Sequence, residues 1–420
     1  MTLWHRRDPA LDELDPDLLV PCRHPQPHYQ GHRLNVTQIT HHDLDGYGAA
    51  TVVASFLEVG RIIHVSRYAD VAPVVEEVLK RLKRSAEAEM VIISDLGLEA
   101  GTAKFIKSFA AMNLGRDEAA RHRLVVLDHH ASSAAHLLEQ GLVTRSDATE
   151  AGSLKAFDLA DPRIAILLDE SRCATRMAYD HRELFATRTA SEREEDLRSL
   201  VDAVDAVDLW KKERPSFTGG LALDEVFWDN VSTLIPLGHS WHDRFISALL
   251  LAVAALLRQG NSPAAIESTV GAVRTRIVDD FLAGDPDDDR GLTTRMRVTR
   301  VLAGSPELFR PLSDGTLLSF GLDAGTFQRV SDMVMELGKA KRVVNVQRTG
   351  MMSFRSNDET ALEGARKFRG GGHKDAAGGK LPSGSAFSMA DAVSQVEPVL
   401  NPPPPDPSKS PFAALQNWKG

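Results

Sequence analysis

Short apolar runs alternate with helical patterns along the first half of the chain. The runs begin after Leu34, and each of them ends in polar or charged residues. Alternation of this kind predicts a parallel β-sheet with helices on both faces. The predicted strands are residues 35–40, 61–65, 90–94, 124–127 and 164–168. The clearest helical patterns between them are residues 49–59 and 71–84.

The second half predicts a mostly helical stretch and then a second α/β unit. Residues 192–210 and 215–283 are largely helical in pattern, and the Ala/Leu-rich run 245–257 is typical of a buried helix. The acidic sequence GDPDDDRG (284–291) predicts a linker or an exposed loop. The elements predicted beyond it are strands at 295–302, 316–320, 342–347 and 350–355 and a helix at 326–339.

These patterns predict an α/β fold, in which an N-terminal parallel-sheet domain and a smaller C-terminal α/β domain are joined by a helical segment. The length of 420 residues fits two or three domains at roughly 100–200 residues each. The predicted segments are an irregular arm (1–33), the first domain (34–215), a helical connector (216–290), the second domain (291–400) and a disordered tail (401–420).

Composition and charge narrow the class of protein. Apolar residues make up 43% and charged residues 25%, as in ordinary soluble proteins. The net charge of −9 disfavours a protein that coats long nucleic acids, although a compact nucleotide could bind in a local basic pocket. Cys22 and Cys173 are the only cysteines, which excludes a disulfide framework and a cysteine-rich zinc site. We expect no transmembrane helix and no secretory signal, and therefore a cytoplasmic enzyme.

Asp and His residues follow three of the predicted strands. The letters HHDLDG (41–46) follow the first strand, Asp95 follows the third, and DHH (128–130) follows the fourth. A single Asp there is usually the N-cap of the next helix, but three such sites at the carboxyl edge of one sheet favour a metal centre. Carboxylates and imidazoles without thiolates suit Mn²⁺, Mg²⁺ or Zn²⁺, and their number favours two ions bridged by one Asp. Gly46 and Gly48 are expected to let the backbone turn tightly around this centre.

A further ligand is expected on the helix predicted over residues 192–210. Its apolar side chains form one stripe at about 100° per residue, which comprises Leu197, Leu200, Val201, Val204 and Val207. Asp208 falls within this stripe, Asp205 at its edge and Asp202 on the opposite side. A carboxylate on a buried stripe is costly unless it is paired or binds a metal, so Asp208 is the first candidate and Asp205 the second. If the helix instead ends near Asp205, both carboxylates are solvated.

A glycine-rich segment of the second predicted domain is the candidate anion site. It reads GGGHKDAAGG (370–379), and its three consecutive glycines are expected to leave backbone N–H groups uncovered. Such a loop can cradle a phosphate, although a glycine run alone is more often a flexible loop. Residues 339–380 contain ten Lys and Arg against four Asp and Glu, a local charge of +6 within a chain of −9. This local charge favours an anion site.

Four motifs in this order resemble the DHH phosphoesterase superfamily with its C-terminal DHHA1 domain. They are HHDLDG (41–46), SDLGL (94–98), DHH (128–130) and GGGHKDAAG (370–378). The superfamily includes RecJ-type exonucleases, nano-RNases, 3′-phosphoadenosine phosphate phosphatases and cyclic-di-AMP phosphodiesterases. The resemblance extends from Leu34 to Leu381 and implies a DHH catalytic domain followed by a DHHA1 substrate-binding domain.

The resemblance also implies a role for each matching residue. The implied metal ligands are His41, Asp43, Asp45, Asp95, His129 and Asp208. Among them Asp95 matches the bridging carboxylate. The implied catalytic residues are Asp128, which matches the partner that orients His129, and His130, which matches the histidine that contacts the scissile phosphate. The implied substrate-binding residues are Arg355, Ser356, Gly370, Gly371, Gly372 and His373.

The expected function is manganese-dependent hydrolysis of phosphodiester bonds. Two Mn²⁺ ions, or Mg²⁺ in their place, would lower the pKa of a water that attacks phosphorus in line. We expect short oligonucleotides or linear and cyclic dinucleotides to be cut to mononucleotides. We expect no membrane partner, and the sequence leaves open whether the chain forms a homodimer. Two alternatives are a RecJ-like single-stranded DNA exonuclease and a non-catalytic nucleotide-sensing regulator. The net charge of −9 counts against the first, and the complete set of expected ligands counts against the second.

Overall fold

The computed structural model describes residues 35–143, 148–157, 159, 161–188 and 193–402. The predicted arm (1–33) and all but two residues of the predicted tail (401–420) lie outside these ranges. The described chain divides into two compact units. The first comprises the residues up to Asn230 and those from Asp243 to Asp285. The second comprises Val231–His242 and the residues from Pro286 onward.

A seven-stranded sheet forms the centre of the first unit. Its strands are β1 (Asn35–His41), β2 (Arg61–Val65), β3 (Glu89–Ser94), β4 (Arg123–Asp128), β5 (Ala148–Ala151), β6 (Leu154–Phe157) and β7 (Ile164–Asp169). They lie in the order β2-β1-β3-β4-β7-β6-β5. The first five in this order are parallel, and β6 and β5 are antiparallel. All five predicted strands are present, and the predicted parallel sheet is confirmed.

Helices alternate with the strands of this unit and then follow them. They are α1 (Leu44–Phe56), α2 (Tyr68–Arg84), α3 (Ala100–Leu114), α4 (Ser132–Glu139), α5 (Ala174–Asp180), α6 (Glu194–Asp208), α7 (Phe217–Asn230), α8 (His242–Arg258) and α9 (Pro263–Phe281). The apolar run 245–257 forms the buried part of α8, as predicted. Within the described ranges, no helix combines the length and the apolar character needed to cross a membrane.

The second unit is a smaller α/β structure built on a six-stranded sheet in the order β12-β13-β11-β10-β9-β8. Its strands are β8 (Arg310–Pro311), β9 (Leu317–Phe320), β10 (Arg342–Val346), β11 (Met351–Ser356), β12 (Gly371–Gly372) and β13 (Ala376–Lys380). Its α-helices are α10 (Thr294–Gly304), α11 (Ala324–Glu336), α12 (Ala361–Arg366) and α13 (Met389–Leu400). Only the β9–β10 pair is parallel among the pairs of this described sheet. Two α/β units, the first with a mainly parallel sheet, are the predicted fold class.

The strand predicted at 295–302 is wrong, because these residues lie in helix α10. The alternation of Met296 and Val298 with arginines resembles a strand, but Val298 and Leu302 are buried together at helical spacing. The Thr293 side chain caps the helix by accepting a hydrogen bond from the Met296 N–H. The helix also places Arg297 against Asp288 of the predicted acidic loop, with Nε donating to Oδ1 at 2.7 Å.

Gly46 and Gly48 lie at close approaches that a side chain would block. A Cβ on Gly46 would lie 2.1 Å from the carbonyl oxygen of His41, and one on Gly48 would lie 2.3 Å from Thr175 Oγ1. The same Thr175 hydroxyl donates a hydrogen bond to the Asp45 carbonyl at 2.8 Å. The two glycines therefore let α1 begin directly after β1 and pack closely against α5.

We expect Gly48→Ala to lower the free energy of unfolding by about 1–3 kcal/mol, because the added methyl group overpacks against Thr175. Gly271→Ala is the matched control, since nothing lies within 4 Å of the Cβ that it would add in α9. The control should raise stability by up to about 1 kcal/mol through helix propensity. Denaturant unfolding measures both variants, and equal stabilities would contradict this account.

Candidate metal centre

The carboxyl ends of β1, β3 and β4 lie side by side, because these strands are parallel neighbours in the sheet. Three groups of side chains there bring possible ligand atoms within 4.8 Å of one another. The groups are His41, Asp43 and Asp95; Asp45, His129 and Asp208; and Asp95, His129 and His130. All six predicted metal ligands therefore lie in one cluster together with His130. Their role as ligands stays a prediction.

Asp43 is both a helix cap and a member of this cluster. Its Oδ1 accepts a hydrogen bond from the Gly46 N–H at 2.9 Å, which caps α1. Its Oδ2 accepts from His41 Nδ1 at 2.5 Å. Burial alone would raise the pKa of Asp43, but its hydrogen bonds with His41, Asp95 and the Gly46 N–H and the charge of His41 together lower the pKa to about 2. The N-cap interpretation and the ligand interpretation are thus compatible, since each uses a different oxygen.

Asp45 is fixed by the first turn of α5. Its Oδ2 and Oδ1 accept from the backbone N–H groups of Ala174 at 2.7 Å and Thr175 at 2.8 Å. Its Oδ2 also lies 3.6 Å from His129 Nε2. Its carboxylate thus lies in the group that contains His129 and Asp208.

Asp95 shows the strongest signs of a cation site. It is buried, and its φ of 55° is in the left-handed region that non-glycine residues rarely adopt. Its Oδ1 lies 3.2 Å from His129 Nε2, and its Oδ2 has no hydrogen-bond partner among the described residues. Burial and the charges of Asp45 and Asp43 raise the pKa of Asp95 well above its usual value. A divalent cation among these groups would satisfy the buried oxygen and offset the repulsion.

His129 faces carboxylates from three different elements. Its Nε2 lies 3.2 Å from Asp95 Oδ1, 3.6 Å from Asp45 Oδ2 and 3.7 Å from Asp208 Oδ2. Burial and the charges of Asp45 and Asp43 raise the pKa of Asp208 to about 8. An imidazole nitrogen surrounded by carboxylates is a donor set that suits Mn²⁺, Mg²⁺ or Zn²⁺.

The structure of helix α6 distinguishes Asp205 from Asp208, the two aspartates that the sequence offers as the further ligand. The helix continues to its last residue, Asp208, whose side chain is 25% exposed but reaches His129. Asp205 is more deeply buried, so the prediction that Asp208 is the more buried of the two is wrong. Its Oδ1 accepts from the Cys173 N–H at 3.1 Å, and its Oδ2 accepts from Lys211 Nζ at 2.8 Å. The carboxylate of Asp205 is therefore paired, and that of Asp208 is directed to the cluster.

Asp128 orients His130 rather than His129, which corrects the predicted pairing. The His130 Nδ1 lies 2.7 Å from Asp128 Oδ1, and the Ser133 hydroxyl donates to Asp128 Oδ2. This carboxylate is buried and engaged at both oxygens. The hydrogen bond to Asp128 raises the pKa of His130 against the effect of burial. His130 thus presents a positioned Nε2, while His129 is directed to the carboxylates.

Tyr68 is a site residue that the sequence analysis missed. Its hydroxyl lies 3.2 Å from His130 Nε2, and its ring stacks on His41 with a centroid separation of 5.9 Å. Tyr68 begins α2 just after β2, the parallel neighbour of β1. Ligands of an open α/β sheet bind at the carboxyl ends of its strands, and Tyr68 follows the carboxyl end of β2, so the same rule would have found it.

The predicted substrate-binding residues lie in the second unit. Arg355 Nη1 donates to the Phe354 carbonyl at 2.9 Å, and its guanidinium lies 5.8 Å from the centre of the Phe327 ring. Ser356 is buried, and its hydroxyl oxygen accepts from the Thr360 and Ala361 N–H groups at the start of α12. This explains Ser356 as a structural residue, and its binding role stays a prediction.

The glycine segment forms a hairpin and is less open than predicted. The Gly370 N–H donates to the Ala365 carbonyl at 2.9 Å, and the His373 N–H donates to the Ala376 carbonyl at 2.8 Å. The expectation that the three glycines leave their N–H groups uncovered is therefore wrong for Gly370. Gly371, Gly372 and the His373 side chain are exposed, and whether they bind substrate stays a prediction.

Comparisons with known proteins agree with this picture. A Helicobacter pylori (strain ATCC 700392 / 26695) protein named 3′,5′-cyclic-nucleotide phosphodiesterase is 22% identical over 387 residues, which cover 88% of this chain and 99% of the relative. The crystal structure of an uncharacterized protein from Helicobacter pylori G27 has a TM-score of 0.67 at 22% identity. The match covers 88% of this chain and 99% of that protein. The structural likeness shows a shared fold. No protein-family model matches the chain.

DHH proteins are also among the similar structures. RecJ from Thermus thermophilus in complex with Mn²⁺ is 15% identical over 89% of this chain and 53% of RecJ, with a TM-score of 0.23. A solved DHH domain is 13% identical over 88% of this chain and 87% of that domain, with a TM-score of 0.31. Membership of the DHH superfamily therefore stays a prediction that rests on the four sequence motifs. The likeness of the overall fold rests on the Helicobacter structure, because the DHH proteins have TM-scores below 0.5.

Asp208→Asn and Asp205→Asn are a matched pair that tests the ligand assignment within the carboxylate and imidazole cluster. We expect Asp208→Asn to weaken Mn²⁺ binding by at least about tenfold, because a carboxylate near His129 is lost. Asp205→Asn should bind Mn²⁺ almost as wild type but lose about 1–3 kcal/mol of stability, because the Lys211 ion pair is weakened. Calorimetric titration with Mn²⁺ and thermal unfolding measure the two effects. The reverse ranking of Mn²⁺ affinities would make Asp205 the ligand.

Proposed function

We propose that this chain is a metal-dependent phosphodiesterase that cuts short oligonucleotides or linear and cyclic dinucleotides to mononucleotides. The observation that carries the proposal is the buried Asp95 Oδ2 without a hydrogen-bond partner among the described residues, at the centre of the carboxylate and imidazole cluster. Carboxylate and imidazole ligands suit Mn²⁺, Mg²⁺ or Zn²⁺, and the resemblance to the DHH superfamily favours Mn²⁺, with Mg²⁺ in its place. The Helicobacter relative named as a cyclic-nucleotide phosphodiesterase supports the class of bond that is cut.

The cluster would hold the ions through its carboxylates and through His41 and His129. Divalent ions bound there would supply positive charge to a phosphate and lower the pKa of an attacking water. Asp43 and Asp45 are anchored to backbone N–H groups, so their carboxylates need little reorganisation when a cation binds. In this proposal the first unit supplies the reaction centre.

His130 is the proposed proton-bearing residue of the reaction. Asp128 holds its Nδ1, which fixes the ring orientation and favours a protonated ring. The Nε2–H of such a ring can donate to a phosphate oxygen, or pass its proton to the leaving oxygen as the ester bond breaks. The Tyr68 hydroxyl lies 3.2 Å from the same nitrogen, so it would compete with the substrate for the hydrogen bond of Nε2.

We expect Mn²⁺ to restore hydrolysis to metal-stripped protein, with dinucleotides and oligonucleotides of about two to five residues cut faster than long strands. The basic excess is concentrated in residues 339–380, and a chain of net charge −9 has little further basic surface to extend a phosphate track. The measurement is kcat/KM on a length series of labelled RNA and DNA. Activity that rises steadily beyond about ten nucleotides would favour the RecJ-like exonuclease.

A second prediction concerns the residues of the second unit. Arg355→Ala and His373→Ala should keep Mn²⁺ affinity but raise KM for dinucleotides, because both are proposed to contact substrate and neither lies in a candidate metal group of the described chain. Lys341→Ala is the control, since it removes one exposed positive charge from the same basic segment. Loss of Mn²⁺ binding in either variant would contradict the division of roles, as would a KM for Lys341→Ala equal to theirs.

A further inference from the structure

We propose that Trp228 is a stacking platform for one base of the nucleotide substrate, an inference that rests on the proposed function. Trp228 lies in the last turn of α7 and is 50% exposed. Its ring centroid lies 6.5 Å from that of His42. His42 stands between His41 and Asp43 in the chain. Asp224, which is hydrogen-bonded to Trp228, lies within electrostatic reach of Asp43, so the exposed indole lies near the candidate metal centre.

The Trp228 ring is held in place although it is exposed. Phe227 packs against it with a centroid separation of 5.0 Å and an interplanar angle of 69°. Phe227 in turn lies 5.1 Å from the Tyr47 ring of α1, and it is fully buried. Asp224, one helical turn earlier, makes a side-chain hydrogen bond to Trp228. An ordered, exposed indole is prepared to stack on a flat partner at little cost in conformational entropy.

The surroundings of Trp228 select an uncharged aromatic partner. Asp224 is hydrogen-bonded to Trp228 and lies within electrostatic reach of Asp43 and Glu225, so the indole has acidic groups around it. Such a neighbourhood repels a phosphate but not the π-face of a base. In a nucleotide the base is joined through the sugar to the phosphate, so a base on Trp228 would direct its phosphate towards the neighbouring cluster.

Trp210 is the natural comparison within the same unit. It is 58% exposed and follows Asp208 by two residues. The Lys212 ammonium, however, lies 5.3 Å from the centre of its ring, and Phe217 packs against it at 5.2 Å. Cation–π contact with Lys212 already engages the Trp210 ring, which makes Trp210 a matched control of the same residue type.

The test compares a linear dinucleotide with the same backbone lacking both bases. We expect Trp228→Ala to lower kcat/KM on the dinucleotide by roughly 5- to 150-fold, which corresponds to about 1–3 kcal/mol for one stacked base. The loss should appear mainly in KM, since stacking acts equally before and during the reaction. Activity on the abasic backbone should not change, Trp228→Phe should retain most of the dinucleotide activity, and Trp210→Ala should match wild type.

Two outcomes would overturn the proposal while wild type remains active. One is an unchanged KM for the dinucleotide in Trp228→Ala, and the other is an equal loss on the dinucleotide and the abasic backbone. If wild type hydrolyses neither compound, the proposed function fails by itself. Calorimetric binding of AMP and of ribose 5-phosphate with Mn²⁺ then decides the stacking role. The stacking role is overturned if Trp228→Ala binds AMP as tightly as wild type does. It is also overturned if wild type does not bind AMP.

Discussion

The repulsion among carboxylates at one edge of a parallel sheet is the constraint on which this structure depends. Asp95 is buried beside other acids, and burial with their charges raises its pKa well above the usual value. The same causes raise the pKa of Asp208 to about 8. A native structure tolerates such a cluster when protons or cations offset the charge. Divalent ions are one way to offset this charge, and the carboxylate and imidazole groups of the cluster suit them.

The contacts that hold the cluster are also contacts that hold the fold. Asp43 caps α1, and Asp45 caps α5. Gly46 and Gly48 allow the close approach of α1 to β1 and to α5. Since the carboxylates are fixed by helix starts rather than by flexible loops, the geometry of the site is set when the first unit folds. A substitution that shifts α1 is therefore expected to affect cation binding and stability together.

Much of this fold and site could be predicted because both follow from short-range patterns. The strands of the first sheet are short apolar runs, and the carboxyl edge of a parallel sheet is where ligands bind. Other features depend on contacts distant in sequence. The pairing of Asp128 with His130, the proximity of Tyr68 to the same ring, and the helical state of residues 295–302 depend on side-chain directions and burial that no local pattern shows.

The aspartates of α6 differ in the physical property that would separate a metal ligand from a structural acid. Asp202 is paired with Arg176, and Asp205 accepts hydrogen bonds from Lys211 and from a backbone N–H. Asp208 instead faces His129 and other carboxylates. Burial alone would have chosen Asp205, which is the more deeply buried of the last two. The better criterion is a carboxylate without a protein cation beside it, because such a group gains most from a metal ion.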